Sequence, residues 1–372
     1  STDAFIGMLH QVFADGKTAS PRGMETKELL NQLIVLNKPW QRCIVLPHRN
    51  DDIVAKIAET CWQLAGRDVI EWLTYYLPRA PEFSDNGRTW RGAYGPRLRN
   101  WAGPDAMVDQ IKIVAQKLRD DPTTRQAILT IWEPSIDLLP GKDIPCNNWV
   151  HFLIRDVHEP NPVGWPDNPY TYTKRLHMNV AQRSSDAVWG YSGIDAFSWS
   201  VLHELVANWA GVAIGDFTHF ISSFHVYEKH YERALKIIDG YTHRTIYDYD
   251  LPQIRFTWAD VDIMDADLKL LFEIENIWRN GYSVGQPIFN DPVMRIWATC
   301  LKIYSYIRVW GEETDPYDMG NMLNEIPESD WRVAMLEWLH RKLPHLIFHV
   351  NLSDVEHEAL TQTIPTIADY LG

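Results

Sequence analysis

The stretch Asp195 to Gly211 constrains this chain most: apolar residues recur there at helical spacing and a glycine closes the run, which predicts one long buried helix. Such a helix has to be covered, and the flanking sequence offers strands to cover it. Ala127–Trp132 (AILTIW) and Trp149–Ile154 (WVHFLI) are short apolar runs rich in β-branched and aromatic residues, and Lys174–Gln182 (KRLHMNVAQ) alternates. Gly215–Tyr231, after the helix, is a further strand-and-turn region rich in histidine and aromatics. The expected class is α/β (α+β), with these strands in one sheet. Between the second and third runs, Asp156–Asp167 is dense in Pro, Asn, Asp and Gly, which predicts a surface loop. Two further helices are expected at Asp3–Asp15 and Asp52–Ala65, the first giving way to the turn-rich Gly16–Gly23 with Arg22 inside it.

A chain of 372 residues exceeds an average domain, so a core of roughly 250 residues with a smaller appendage is the expected organisation. The texture changes after about Tyr241. Asp260–Asn280, Asp291–Gly311 and Asp330–Arg341 read as amphipathic helices with polar or acidic starts. We therefore divide the chain into a core, 1–245, and a mostly helical C-terminal extension, 246–372, whose Trp and Leu stripes read as packing surfaces.

A formal net charge of −14 opposes wrapping of polymeric nucleic acid, which needs a basic surface, but leaves room for a nucleotide-sized anion in a local basic pocket. No stretch approaches the roughly 18 to 20 apolar residues of a membrane span, and Ser1–Lys17 lacks a signal-peptide pattern, so a cytoplasmic protein is expected. The four cysteines, Cys43, Cys61, Cys146 and Cys300, are widely spaced, with no metal-binding or disulfide framework. Cys146 differs in lying between a loop and a strand, where a nucleophile could be presented.

Pro145-Cys146-Asn147 is one of three segments that carry chemistry. Gln182-Arg183-Ser184-Ser185-Asp186, followed by Gly190, ends a strand with a cation and a hydroxyl, a combination suited to a phosphate. Gly215-Asp216-Phe217 followed by His225-Val226-Tyr227 would project His225 and Tyr227 on one strand face. In this order and spacing the segments resemble the thymidylate synthase family. The resemblance runs from about Asp3 to about Tyr241 and includes Asp15-Gly16 then Arg22, Glu59, Tyr94-Gly95, Asp109-Gln110, and Asp121-Pro122 followed by Arg125 and Trp132.

That resemblance implies a three-layer fold around a bent mixed sheet, a homodimer formed through the sheet, and a pyrimidine nucleoside monophosphate as substrate. It implies phosphate binding by Arg22, Arg183 and Ser184 within one chain and by Arg125 from the partner, with Gln126 where a second arginine is usual. His225 and Tyr227 would hold the sugar hydroxyl. Cys146 would add to C6 and so activate C5 toward methylenetetrahydrofolate, the family's usual donor. Arg183 would favour the thiolate. Glu59 and Tyr94 are the proton-transfer candidates, and Asp186 completes the catalytic set. No metal is implied.

The family reads the base with an asparagine. Counting back from Gly215-Asp216-Phe217 through the helix puts Asp195 at that position, whereas counting forward from Gly190 puts Ile194 there, so one residue is inserted. An insertion in the turn Tyr191-Ser192-Gly193 costs less than one inside a buried helix, which favours Asp195. An ionised carboxylate accepts but does not donate, so it suits a 4-amino group and a protonated N3 and repels the uracil oxygen. Family members acting on cytidylates carry this replacement; the alternative is that Asp195 only caps its helix.

Other departures are Asn147, a second base-side residue that replaces the usual histidine and alters the water network near the base; the lack of a methylene-shielding tryptophan near Ala80–Phe83, where Pro81 and Phe83 stand; and the ending Ala368–Gly372 in place of the usual tail. The expected activity is hydroxymethylation of dCMP or CMP. The alternatives are a dUMP hydroxymethylase, a thymidylate synthase, and a catalytically silent nucleotide- or RNA-binding homologue.

Overall fold

A computed structural model describes residues 1–160, 170–285 and 287–367. Its strands are β1 (Lys17–Ala19), β2 (Thr26–Leu36), β3 (Trp101–Ala102), β4 (Met107–Val108), β5 (Ile128–Thr130), β6 (Asn147–Pro160), β7 (Tyr170–Gln182), β8 (Ser185–Asp186) and β9 (Ala213–Tyr227). Seven of them form one sheet in the order β1-β2-β9-β7-β6-β5, with β8 beside β9; β7 and β8 run parallel to β9 and the other pairings are antiparallel. β3 and β4 make a separate hairpin.

The inner face of the sheet carries Ile34, Val150, Phe152, Leu176, Met178, Val180, Phe217 and Ile221, all buried. Helices Thr2–Asp15 and Ala196–Ala210 pack on it. The second of these is the expected buried helix, apolar on nearly every side and closed by Gly211 at φ 69°, a left-handed conformation that glycine adopts without strain. Helix Ile53–Leu64 starts where the Asp52 carboxylate accepts from the Ala55 amide at 3.1 Å, and it is buried almost throughout.

Three local expectations are corrected. Residues 156–160 continue β6 instead of starting a loop, because they pair with 170–174 of β7; residues 161–167 of the expected loop lie outside those described. Tyr191-Ser192-Gly193 is not a turn but part of a π-helical segment, Ala187–Asp195, that runs straight into helix Ala196–Ala210. A π turn holds one residue more than an α turn, which is how a helix absorbs a single insertion. The C-terminal region holds two further helices, Pro316–Asn324 and Asp354–Thr363, besides Val261–Arg279, Pro292–Trp310 and Asp330–Lys342. The strand β2 was also missed; its backbone is interrupted at Asn31, whose φ is 56°, although the register with β9 continues unshifted on either side.

Residues on both sides of position 245 share one buried apolar cluster. Glu275 accepts from Trp72 Nε1 at 2.7 Å and from Tyr76 hydroxyl at 2.5 Å, Arg99 bridges Asp109 and Asp265, and Trp338 Nε1 donates to Asp52 at 2.9 Å. The last contact braces the cap of helix Ile53–Leu64, which carries Glu59. The outer face of the sheet carries an uncovered apolar row in the single chain, Leu33, Phe220, Ala181 and Trp149 across β2, β9, β7 and β6, beside a row whose middle is Thr218, Asn179 and His151. Val35 and Ile128 lie in the neighbouring row, and of these six apolar residues only Ala181 is buried.

Candidate active site

A register shift between Asn147 and Trp149 at the start of β6 sets the site. Such bulges re-aim side chains: here Asn147 turns inward and is fully buried while Trp149 faces the outer side of the sheet. Cys146 precedes the bulge, half-buried, with Sγ 3.9 Å from Ser184 Oγ. Arg183 staples the loop in front of it, donating from Nε to the Pro145 carbonyl at 2.8 Å, from Nη2 to the Ile144 carbonyl at 2.9 Å and from Nη1 to Ser184 Oγ at 3.0 Å.

Burial pushes the Cys146 thiol up; Arg183 pulls it down, Asp195 pushes it up again, and the Ser184 hydroxyl favours the thiolate. Arg183 thus acts in the direction expected from sequence, but burial outweighs it, so the thiol rests protonated.

Asp195 lies beside this group. Its carboxylate is the N-terminal residue of helix Ala196–Ala210 yet makes no side-chain cap bond, which removes the capping role. Asn147 Nδ2 lies 3.4 Å from Oδ1 and Ser185 Oγ 3.5 Å from Oδ2, and the buried Gln182 side-chain amide, which makes no hydrogen bond of its own among the described residues, is near enough to favour the carboxylate. Burial raises the Asp195 carboxyl above the usual carboxylate range, and these donors pull it back. Gly190 lets the carboxylate in: a Cβ there would lie 2.8 Å from Ser185 Oγ and 3.2 Å from Asp195 Oδ2.

Glu59 is close enough to Asp195 to feel its charge and accepts from Gln63 Nε2 at 3.2 Å. Burial, then the charges of Asp195 and Asp143, raise it to about 8, so it carries a proton at neutral pH. The Tyr94 hydroxyl accepts from Asn147 Nδ2 at 2.7 Å, and burial together with Asp195 and Cys146 keeps it well above the usual phenol range.

The remaining predicted residues divide in two. Asp186 caps the π-helical segment, its Oδ1 accepting from Val188 at 2.7 Å and Trp189 at 2.6 Å, while Oδ2 is buried without a partner. It pairs in register with His225, whose ring stands edge-on to Tyr227 at 5.0 Å and whose imidazole is lowered first by burial. Arg22, at φ 56° in a one-turn helix, is close enough to His225 to depress its protonation further. Arg125 is different: it is exposed before β5, and among the described residues no hydrogen bond or ion pair joins its side chain to this group. Sequence reasoning missed Trp199, which stacks on Tyr94 and donates to Asn147; its position one helical turn beyond Asp195 was the available signal.

The sequence profile of the thymidylate synthase family matches residues 3–290. The chain belongs to the thymidylate synthase family. Members of this family are one-carbon transferases, and the site described above occupies the matched span. Similar proteins include the deoxyuridylate hydroxymethyltransferase of Bacillus phage SP01, 32% identical over 234 residues, or 61% of this chain and 57% of that protein. The deoxyuridylate hydroxymethyltransferase of Delftia phage PhiW-14 is 31% identical over 213 residues, 54% of this chain and 53% of that protein. The chain thus spans little more than half the length of these two relatives. The enzyme of the same name from Pseudomonas phage M6 is 26% identical over 311 residues, 82% of each chain. Among the described residues no helix is long and apolar enough to cross a membrane.

Proposed function

We propose that this family member transfers a one-carbon unit to C5 of a cytidylate, dCMP first, and releases the 5-hydroxymethyl nucleotide. The observation that carries this reading is the buried Asp195 carboxylate, free of any capping bond and held by the donors Asn147 and Ser185. As an acceptor it complements a 4-amino group and an N3 that gains a proton as the ring is attacked, and it repels a 4-oxo group.

In this reading Arg22, Arg183 and Ser184 hold the phosphate, and His225 and Tyr227 hold the sugar. Cys146 forms a bond from sulfur to C6, and the electron pair displaced from the C5–C6 bond makes C5 a nucleophile. Methylenetetrahydrofolate supplies the carbon at the oxidation level of formaldehyde. The exposed ring of Trp189 and the unpartnered Oδ2 of Asp186, an acceptor for a heterocyclic N–H, are suited to holding it. Glu59, protonated below about 8, is a proton donor for the departing amine, and Tyr94, within reach of Asn147, organises loss of the C5 proton.

Water then adds to the exocyclic methylene as the C6–S bond breaks, giving the hydroxymethyl group and freeing Cys146. Phe83 is half exposed where a shielding indole is usual, and the nearby Trp90 is tied back, with Nε1 donating to the Ala80 carbonyl at 2.8 Å. The homodimer that would bring Arg125 across is supported by the uncovered apolar sheet face, since apolar patches of that extent mark interfaces.

A second reading, hydroxymethylation of dUMP, is favoured by the names of the phage relatives and by the burial that raises Asp195, because a protonated carboxyl can donate to O4. Product mass analysis with methylenetetrahydrofolate and, separately, dCMP, CMP and dUMP tests both. Gain of a hydroxymethyl group on a cytidylate is the expected result. Hydroxymethylation confined to dUMP would replace it with the second reading, methylation of dUMP would restore an ordinary synthase, and absence of C5 tritium release would mark a silent homologue.

A further inference from the structure

Beside Tyr94 and Asn147 stands a side chain to which the chemistry above gives no part. Trp199 is buried on helix Ala196–Ala210 and its ring stacks on Tyr94, centroids 5.8 Å apart and planes 24° apart. Its Nε1 lies 3.1 Å from Asn147 Oδ1. An indole N–H can only donate, so the amide atom facing it has to be the oxygen. The Asn147 NH2 is thereby turned the other way, 2.7 Å from the Tyr94 hydroxyl and 3.4 Å from Asp195 Oδ1. The reversed amide would set its oxygen against the Asp195 carboxylate and its NH2 against the indole N–H, two mismatches in a buried place.

We propose that Trp199 is a positioning residue for base discrimination: by holding the Asn147 oxygen it keeps an N–H aimed at Asp195, so that Asp195 meets the base as an acceptor. An acceptor suits a 4-amino pyrimidine and disfavours a 4-oxo one. Without the indole N–H, Asn147 is free to reverse, the N–H that holds Asp195 as an acceptor is lost, and the preference for a 4-amino over a 4-oxo group weakens. The inference rests on the reading of Asp195 as the base reader and adds the residue that sets its hydrogen-bonding polarity.

The test compares kcat/KM for dCMP with that for dUMP in two variants of the full chain. Trp199→Phe removes the N–H and keeps an aromatic ring against Tyr94. Incorporation of benzothienylalanine at position 199 replaces N–H by sulfur at nearly unchanged shape, and carries the test if the phenylalanine variant folds poorly. The expected result in either is a fall of about tenfold in the dCMP-to-dUMP ratio, the scale of one misoriented buried hydrogen bond. A purely structural role for Trp199 would depress both substrates alike, and an unchanged ratio overturns the inference. Asp195→Asn is run in parallel. If that variant leaves the ratio unchanged, the base reading itself fails and this inference goes with it; if it shifts the ratio and neither Trp199 variant does, only the inference is lost.

Discussion

Asp195→Asn is the most informative single substitution, because it changes hydrogen-bonding character at almost constant volume. The pocket can accommodate the amide: its oxygen takes the place of Oδ1 opposite Asn147 Nδ2, now 3.4 Å away, and its NH2 faces Ser185 Oγ at 3.5 Å, a hydroxyl that can rotate to accept. Folding should therefore be preserved, and a higher Tm is expected, since burial that disfavours the charged carboxylate does not penalise the amide. For dCMP the change removes a charge-assisted contact to the 4-amino group and the protonated N3, a loss of about 2 kcal/mol. For dUMP it removes a repulsion and supplies a donor for O4, a gain of about the same size. Together these move the kcat/KM ratio by about a thousandfold toward dUMP, at 1.36 kcal/mol per tenfold. The assay is steady-state release of tritium from C5-labelled dCMP and dUMP in the presence of methylenetetrahydrofolate. A ratio that changes by less than about threefold would refute the claim that residue 195 touches the base.

Glu59→Gln should abolish turnover while stabilising the fold in a pH-dependent way. Glu59 is raised from 4.5 to about 8, so folding is increasingly penalised as pH climbs through that window; the Tm advantage of the glutamine variant should grow from about 4.5 to about 8 and then level off, and a constant advantage would contradict the cause given. Gly190→Ala places a Cβ 2.8 Å from Ser185 Oγ and 3.2 Å from Asp195 Oδ2, and should lower kcat/KM by about tenfold or more with only a small fall in Tm, read by calorimetry beside the kinetic assay. Leu33→Asp introduces a charge in the middle of the uncovered sheet face, where Leu33 is 64% exposed in the single chain. Sedimentation should report a monomer at micromolar concentration with C5 tritium release lost; an unchanged dimer would move the interface elsewhere.

The elements legible in the sequence were those whose local pattern and tertiary fate agree. The helix ending at Gly211, the strand leading to Gln182 and the helix capped by Asp52 all announce themselves through periodicity and end signals, because burying a periodic stripe is what folds them. Strand β2 did not, since its buried positions change parity across the left-handed Asn31, and residues 156–160 did not, since loop-like composition is overridden by pairing with β7. The candidate site residues were named from order and spacing along the chain; their roles were not all readable there. Nothing in the sequence indicated that Asp186 would spend one oxygen on capping and keep the other buried, or that burial would outweigh Arg183 at the Cys146 thiol.

By itself the sequence determined which groups are available: one cysteine between a loop and a strand, a cation beside a hydroxyl at a strand end, and a carboxylate at the start of the apolar helix. Only the tertiary structure decided how those groups face one another. The segment Ala187–Asp195 winds as a π-helix into the buried helix, and Asp195 at its end comes within 3.4 Å of the bulged Asn147. The physical reason is that side-chain direction and desolvation are set by packing across elements far apart in sequence, and no local pattern encodes them.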